Sequence, residues 1–158
     1  MTTADPAVAL TPSPFLTEDH LAVREAIRDF ALNEVAPLAA KLDEEKLFPH
    51  ETVAKLAELG FMGVPIPVEY GGAGMDYVAY SIVIEELARV CGTTALTVAA
   101  HTSLGTGPIY HFGTEEQKRR WVPKCASGEM LAAFALTEPD AGSDAKATRV
   151  TAVEDGDH

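Results

Sequence analysis

Apolar side chains recur every three or four residues through most of the chain, which is the spacing of helices that bury one face. Thr17 and Asp76 are residue types that cap helix N-termini, and each stands directly before such a stretch. Thr114 opens a further stretch, with Gln117 three residues later, as a capping box requires. Pro37 is expected to disturb the first helix near its end. The pattern predicts a first helix from residue 17, further helices over residues 50–59, 76–90, 94–103 and 114–126, and a short segment that ends near residue 112.

The interruptions between these stretches are rich in glycine and proline. Residues 61–75 contain two prolines and four glycines and therefore predict a loop. Gly105, Gly107 and Pro108 are expected to interrupt the apolar stretch that precedes them. Residues 1–14, which hold three prolines among small and polar residues, predict a flexible lead-in.

The pattern changes where the last of these helices ends. Residues 130–137 are apolar and lack helix signals, which predicts a buried strand. Residues 138–144 predict a turn, and residues 147–153 alternate like a second strand. Helices followed by strands predict a mainly α chain, with an N-terminal helical bundle over residues 15–128 and the start of a separate, incomplete β domain over residues 129–158.

Composition limits the function further. The 158-residue chain is 47% hydrophobic and 23% charged, as expected of a globular protein. Its net charge of −12 argues against nucleic-acid binding, which needs clustered Lys and Arg.

Cys91 and Cys125 have no Cys or His neighbours at metal-ligand spacing, so we expect two buried thiols and no metal site. No stretch approaches the ~18 apolar residues of a membrane span, and no signal peptide is evident, which favours a cytoplasmic protein.

One stretch combines the end of a predicted strand with hydroxyl groups and a turn. Thr137 ends the strand, Pro139 and Gly142 turn the chain, and Ser143 adds a second hydroxyl. Free backbone N–H groups in such a turn can hold a planar polar ring or a phosphate. An ordinary surface turn uses the same residue types, and the stretch lacks the GxGxxG spacing of a dinucleotide fold. The residues alone leave both interpretations open.

Three motifs in register resemble those of the acyl-CoA dehydrogenase family. Residues 134–144, Phe-Ala-Leu-Thr-Glu-Pro-Asp-Ala-Gly-Ser-Asp, resemble its flavin-binding signature, an apolar run followed by T/S-E-P-x-A/N-G-S-D. Residues 67–76, Pro-Val-Glu-Tyr-Gly-Gly-Ala-Gly-Met-Asp, resemble its P-x-E-Y-G-G-x-G-x-D loop. Residues 103–118 are similar to its S-L-x-x-x-P-I…G-x-x-x-Q-K segment. The likeness spans about residues 15–158 and is nearest to the short-chain and branched-chain members.

This resemblance implies an N-terminal helical domain, a middle β-barrel domain and a C-terminal four-helix bundle, the last of which is expected to be absent from this chain. It implies FAD as the cofactor, acyl-CoA as the substrate, and an electron-transfer flavoprotein as the electron acceptor of an enzyme that forms trans-2-enoyl-CoA in fatty-acid or branched-chain catabolism. Full-length relatives are homo-oligomers. The cofactor-binding residues carried over by the resemblance are Phe134, Ala135, Leu136, Thr137, Gly142 and Ser143.

The resemblance also implies where the substrate lies. Ala100 and Leu104 would be near the acyl chain, with the bundle core as their alternative place, and Ser143 would stand where flavin and acyl-CoA meet. Asp140 departs from the Gly or Asn common at its position. The catalytic glutamate of the family is expected beyond residue 158, so no catalytic residue is assigned and this chain alone is expected to be inactive.

Two alternatives remain open at this point. One is a related flavin enzyme that reacts with oxygen directly, such as an acyl-CoA oxidase or a flavin monooxygenase. The other is a non-catalytic helical interaction module.

Among the remaining polar residues, His101 is expected to be a core histidine rather than a catalytic one, and Glu85 and Glu86 are expected on a solvated face. Residues 118–120 form a basic run that is either solvated or in contact with an electron carrier.

Overall fold

A computed structural model describes residues 14–156, and its regular structure is helical. The predicted flexible lead-in, residues 1–14, lies outside the described residues except for Pro14. Within the described part, the α-helices are α1 (Glu18–Phe30), α2 (Ala36–Glu45), α3 (His50–Glu58), α4 (Tyr77–Ala88), α5 (Gly92–Ala99), α6 (Gly107–Phe112) and α7 (Glu115–Ala126). Two π-helical segments, Ala31–Val35 and Ala100–Thr106, join α1 to α2 and α5 to α6. The mainly α prediction is confirmed.

The first helical run begins where the sequence predicted but continues further. The Thr17 hydroxyl accepts the His20 N–H at 3.3 Å, and His20 Nδ1 accepts the Thr17 N–H at 3.1 Å, which closes a capping box. The helix is disturbed next to Pro37, as predicted, but the helical run continues to Glu45 instead of ending near the proline. Pro37 lies in the first turn of α2, directly after the π-helical segment Ala31–Val35, whose wider turn accommodates the change in hydrogen bonding.

The main core forms where α1 packs along α4 and α4 packs along α5. Ile27, Leu56, Val83, Leu87 and Val98 are fully buried there. Burying an aliphatic side chain of this size contributes roughly 1.5–3 kcal/mol, so this helical contact supplies much of the free energy that orders the domain.

Glu86 of α4 is buried in this contact, and the expectation that it is solvated is wrong. Its side chain is 2% exposed. Arg28 of α1 donates two hydrogen bonds to its carboxylate, at 2.7 and 3.0 Å, and this pairing raises the pKa of Arg28. Arg24 and Arg89 lie at 3.7 and 3.5 Å. The adjacent Glu85 is exposed, as predicted, because neighbouring residues on a helix point in different directions.

The chain stays helical through Gly105, Gly107 and Pro108, where an interruption was predicted. The π-helical segment Ala100–Thr106 continues directly into α6, and Pro108 lies in the first turn of that helix. Thr102 of the segment donates its hydroxyl to the Met62 carbonyl at 3.1 Å. This bond ties the segment to the 61–75 loop, so the residues that break a regular α-helix here shape a packed, wider turn instead.

The last helix has the predicted capping box. The Thr114 hydroxyl accepts the Gln117 N–H at 3.3 Å, and Gln117 Oε1 accepts the Thr114 N–H at 2.8 Å. Val122 of α7 packs against Ile66 and Tyr70 of the 61–75 loop in a second apolar cluster. That loop contains only two short 3₁₀ turns, Phe61–Gly63 and Val68–Tyr70, so the loop prediction is confirmed.

The two predicted strands, residues 130–137 and 147–153, do not form within the described part of the chain. The only β pairing in residues 14–156 is an isolated bridge between Glu138 and Ala141. A strand is stable only when a neighbouring strand supplies its hydrogen bonds, and neither segment has such a neighbour here. Leu131 and Phe134 are therefore exposed rather than buried.

Candidate functional site

An apolar groove of about 410 Å³ lies between α5, the π-helical segment Ala100–Thr106 and the chain that follows α7. Its lining residues are Phe48, Thr93, Leu96, Thr97, Ala100, His101, Leu104, Leu131, Ala132, Ala133 and Phe134. The wall contains no carboxylate and no lysine or arginine. Such a groove suits an apolar ligand rather than a charged one.

His101 fixes one side of this groove to the other. Its Nδ1 accepts the backbone N–H of Ala132 at 3.0 Å, so its Nε2 carries the proton and donates to the Cys125 carbonyl at 3.0 Å. Gly105 makes the close approach possible, because a Cβ at this position would lie 2.5 Å from the Cβ of Ala132. The segment that follows α7 is therefore held tightly against the π-helical segment.

His101 is a satisfied core histidine, as predicted. Both ring nitrogens are bonded to the backbone and the side chain is buried. Burial lowers its pKa, because the charged imidazolium is poorly solvated in the interior. A neutral ring with both nitrogens engaged has no role as a proton carrier here, so we assign His101 a positioning role.

Three of the residues singled out by sequence come together in the groove: Ala100, Leu104 and Phe134. Leu104 is 51% exposed and Phe134 is 53% exposed, and Ala100 is half-buried. The alternative place for Leu104, the bundle core, does not fit this exposure. Both large side chains present apolar surface to the groove, where a ligand could cover it.

The other predicted cofactor residues lie on the exposed chain beyond the groove. Ala135, Leu136 and Thr137 are exposed and follow Phe134 without regular structure, and Gly142 and Ser143 are exposed in the turn after them. The structure thus places the six residues along one continuous surface segment, with its first member in the groove.

Glu138 organises this turn and was not singled out by sequence. Its backbone pairs with Ala141 in the isolated bridge. Its carboxylate accepts the Arg149 N–H at 2.7 Å and the Val150 N–H at 3.1 and 3.2 Å. The turn is thereby tied to the chain some ten residues later. An acidic residue directly before Pro139 was the available signal, but only the folded chain shows which N–H groups it binds.

The exposed segment has hydrogen-bond donors that no group of the described protein satisfies. Within residues 14–156, the N–H groups of residues 134–137 find no protein acceptor, and the hydroxyls of Thr137 and Ser143 make no hydrogen bond. A Cβ at Gly142 would meet no atom within 4 Å, so the space beside the turn is open. These groups fit a planar ring with polar edges and a phosphate.

Metal ligands, thiols and membrane-spanning helices are three further features of functional interest. No cluster of His, Cys, Asp or Glu suited to a metal ion occurs among the described residues. Cys91 and Cys125 are free and buried, as predicted, and burial raises the pKa of the Cys125 thiol. No helix within residues 14–156 is both long enough and apolar enough to cross a membrane.

Residues 17–129 match the family described as acyl-CoA dehydrogenase, N-terminal domain. The chain belongs to the acyl-CoA dehydrogenase family. The family predicted from the three motifs is confirmed. A relative within this family, the short-chain specific acyl-CoA dehydrogenase of Clostridium acetobutylicum, is 49% identical over 143 residues, which cover 90% of this chain and 38% of the relative.

Solved structures of family relatives have the same fold. A chain described under the electron transferring flavoprotein of Acidaminococcus fermentans is 41% identical with a TM-score of 0.86, over 92% of this chain and 38% of that chain. The acyl-CoA dehydrogenase complexed with FAD from Bacillus anthracis is 39% identical with a TM-score of 0.79, over 88% of this chain and 24% of that one. The chain therefore spans well under half the length of each of these proteins.

Proposed function

We propose that this chain is part of an FAD-dependent acyl-CoA dehydrogenase that oxidises acyl-CoA to trans-2-enoyl-CoA. The observation that carries the proposal is the groove, which brings Ala100 and Leu104 of the π-helical segment together with Phe134, a residue far from them in sequence. The groove is apolar, as an acyl chain requires, and it leads into the segment whose free donors fit a flavin. The relatives named as acyl-CoA dehydrogenases support the same reaction.

Residues 134–143 are the part of the chain that would hold FAD. Thr137 would donate its hydroxyl to the polar edge of the ring, and Gly142 would let the backbone approach closely. Ser143 would lie where cofactor and substrate meet. Bound FAD supplies the acceptor for the electrons removed from the acyl chain. Glu138 would keep this segment in place through its bonds to Arg149 and Val150.

Ala100 and Leu104 would contact the acyl chain. The small side chain at position 100 leaves room in the groove, and the exposed face of Leu104 would be covered by the substrate. Proton removal from the acyl chain needs a base within hydrogen-bonding reach. We assign that base to no residue of this chain.

We also propose an electron-transfer flavoprotein as the electron acceptor, supported by the relative described with that protein. Residues 118–120 are a candidate contact for such a carrier, but all three already lie over aromatic rings of the domain itself. Lys118 lies over the Tyr110 ring at 5.6 Å, Arg119 over the Tyr70 ring at 5.7 Å and Arg120 over the Trp121 ring at 4.7 Å.

The test is an absorbance spectrum of the complete gene product, purified without added cofactor and then mixed anaerobically with butyryl-CoA and longer acyl-CoAs. We expect a flavin spectrum that bleaches on substrate addition. Protein without flavin, or flavin that no acyl-CoA reduces, would contradict the proposal. Rapid reoxidation of the reduced protein by oxygen would favour an oxidase instead.

Matched variants connect this test to the proposed segment. Thr137→Val removes the hydroxyl assigned to the flavin, and Thr151→Val removes an exposed hydroxyl outside the segment. We expect the first variant to retain less flavin per protein than the second. Equal flavin content in the two variants would remove Thr137 from the cofactor site.

A further inference from the structure

A second cavity, of about 360 Å³, lies beside the groove at the connection between α2 and α3. Leu38, Leu42, Leu47 and Pro49 give it apolar walls, and its polar lining residues are Lys41 of α2 and His50, Glu51 and Thr52 of α3. Phe48 lines this cavity and also lines the groove, and it is the only described residue that lines both. Its side chain therefore stands between two apolar spaces.

Backbone hydrogen bonds and a ring contact position Phe48. Directly after α2, Lys46 caps the helix in a left-handed conformation with φ of 54°, and the next N–H, that of Leu47, bonds to the Leu42 carbonyl at 2.9 Å. Pro49 restricts the backbone of Phe48. The His50 N–H donates to the Phe48 carbonyl at 2.9 Å, and the two rings meet edge to face at 4.7 Å. A side chain held in this way can act as a wall.

We propose that the Phe48 ring closes the acyl groove and sets the longest acyl chain that the site accepts. The inference rests on the proposed function. Every other lining residue of the groove comes from α5, from the π-helical segment Ala100–Thr106 or from residues 131–134, whereas Phe48 reaches in from the α2–α3 connection. Removing the ring would join the groove to the second cavity, and the joined space would accept additional methylene groups.

Leu47 offers a matched control. It lines the second cavity but not the groove, and it is exposed to about the same extent as Phe48, at 48% against 41%. Leu47→Ala therefore enlarges the second cavity without opening it to the groove. Phe48→Leu is a smaller change at the wall that keeps an apolar side chain, in case Phe48→Ala folds poorly.

The experiment compares kcat/KM for butyryl-, hexanoyl-, octanoyl-, decanoyl- and dodecanoyl-CoA in the complete gene product and in these variants. Wild-type activity should fall steeply beyond a limiting chain length. Phe48→Ala should raise the ratio of activity on the first excluded chain to that on butyryl-CoA by at least about tenfold, because each methylene in an apolar pocket is worth about that factor. Phe48→Leu should raise it less, and Leu47→Ala should leave it unchanged.

The outcomes separate this inference from the proposed function. If the wild type oxidises no acyl-CoA, both are overturned. If the wild type oxidises acyl-CoAs but shows no chain-length limit, only the inference about Phe48 is contradicted. The same holds if the Phe48 variants fold with an unchanged chain-length profile. An equal shift in Leu47→Ala would also overturn it, because cavity size alone would then explain the change. Thermal unfolding of each variant establishes that it is folded.

Discussion

Two buried polar side chains, Glu86 and His101, have their partners in place. The Glu86 carboxylate faces three guanidinium groups at the contact of α1 with α4. Both nitrogens of His101 bond to backbone groups from other parts of the chain. Buried groups of this kind stabilise a fold little as complete pairs, but the loss of one partner is costly because the other stays buried.

Glu86→Gln keeps the shape of the side chain and removes its charge. We expect it to lower the free energy of unfolding by about 2 kcal/mol, since Arg24, whose side chain is 17% exposed, would face an amide, while Arg28 and Arg89, at 38% and 56%, are partly solvated and lose less. Chemical denaturation monitored by circular dichroism measures this change.

Glu85→Gln is the control for this prediction. Glu85 neighbours Glu86 in sequence but is exposed, so its substitution should alter stability by no more than about 0.5 kcal/mol. Similar losses in the two variants would mean that the guanidinium cluster does not depend on the charge of Glu86.

Local residues set where each helix begins and ends, whereas contacts between distant parts of the chain set how the helices are placed. The π-helical segment Ala100–Thr106 illustrates both, because its glycines permit a wide turn and Ala132 packs directly on one of them. The same segment supplies Ala100 and Leu104 to the groove. The shape of the groove therefore depends on how closely residue 132 approaches the segment.

Gly105→Ala should force these two parts of the chain apart. The new Cβ would lie 2.6 Å from the backbone carbon of Ala132, which is closer than atoms pack. We expect the Ala132 amide, now bonded to His101, to lose at least about tenfold of its protection against hydrogen exchange, which corresponds to ~1.4 kcal/mol.

Gly107→Ala is the comparison, because a Cβ there would lie 3.5 Å from the Thr102 carbonyl oxygen, which is an ordinary van der Waals contact. In the Gly107→Ala variant, the Ala132 amide should exchange at the wild-type rate. Unchanged protection in Gly105→Ala, read out by hydrogen-exchange NMR, would show that the segment after α7 can shift without releasing His101.

At the scale of the whole molecule, the helical domain buries its core, whereas the chain after it remains exposed. Leu131, Phe134, Val150 and Val153 all present apolar surface, with Val150 and Val153 at 74% and 81% exposure. Surface of this kind, in segments without strand partners, promotes association with other chains.

The 158-residue chain expressed alone should therefore bind a hydrophobic dye such as ANS strongly. Replacing Val150 and Val153 together by Glu should reduce the dye fluorescence by removing apolar surface. Replacing the exposed Thr148 and Thr151 by Glu adds the same charge without that loss, and its fluorescence should stay closer to wild type. Weak dye binding by a monomeric wild-type chain would contradict the prediction.

Local sequence signals predicted the helix N-caps correctly. The caps at Thr17, Asp76 and Thr114 were identified from residue type and spacing, and each cap hydrogen bond is present. The prediction for Pro37 holds only in part, because the helix is disturbed by the preceding π-helical turn but then continues to Glu45. The prediction for Glu86 is wrong, because its face of α4 acquires a partner only when α1 packs on it.

The candidate site was predicted in part. The motif over residues 134–144 and the positions Ala100 and Leu104 came from the resemblance, and the family itself is confirmed. The roles of these residues, the limits of the domains, the cytoplasmic location and the oligomeric state stay predictions. Phe48, Gly105 and Glu138 were not linked to the site, because their contacts join parts of the chain that lie far apart in sequence or were expected in separate strands.

The family, the helical character of most of the chain and most helix ends follow from the sequence, because periodicity, capping residues and motifs act over a few neighbouring positions. The folded chain is needed to show which polar residues are buried, how the π-helical segment Ala100–Thr106 meets residue 132, and which side chain separates the two cavities. It also shows that residues 130–137 and 147–153 stay unpaired. Strand pairing and burial depend on partners elsewhere in the chain, and no local pattern contains that information.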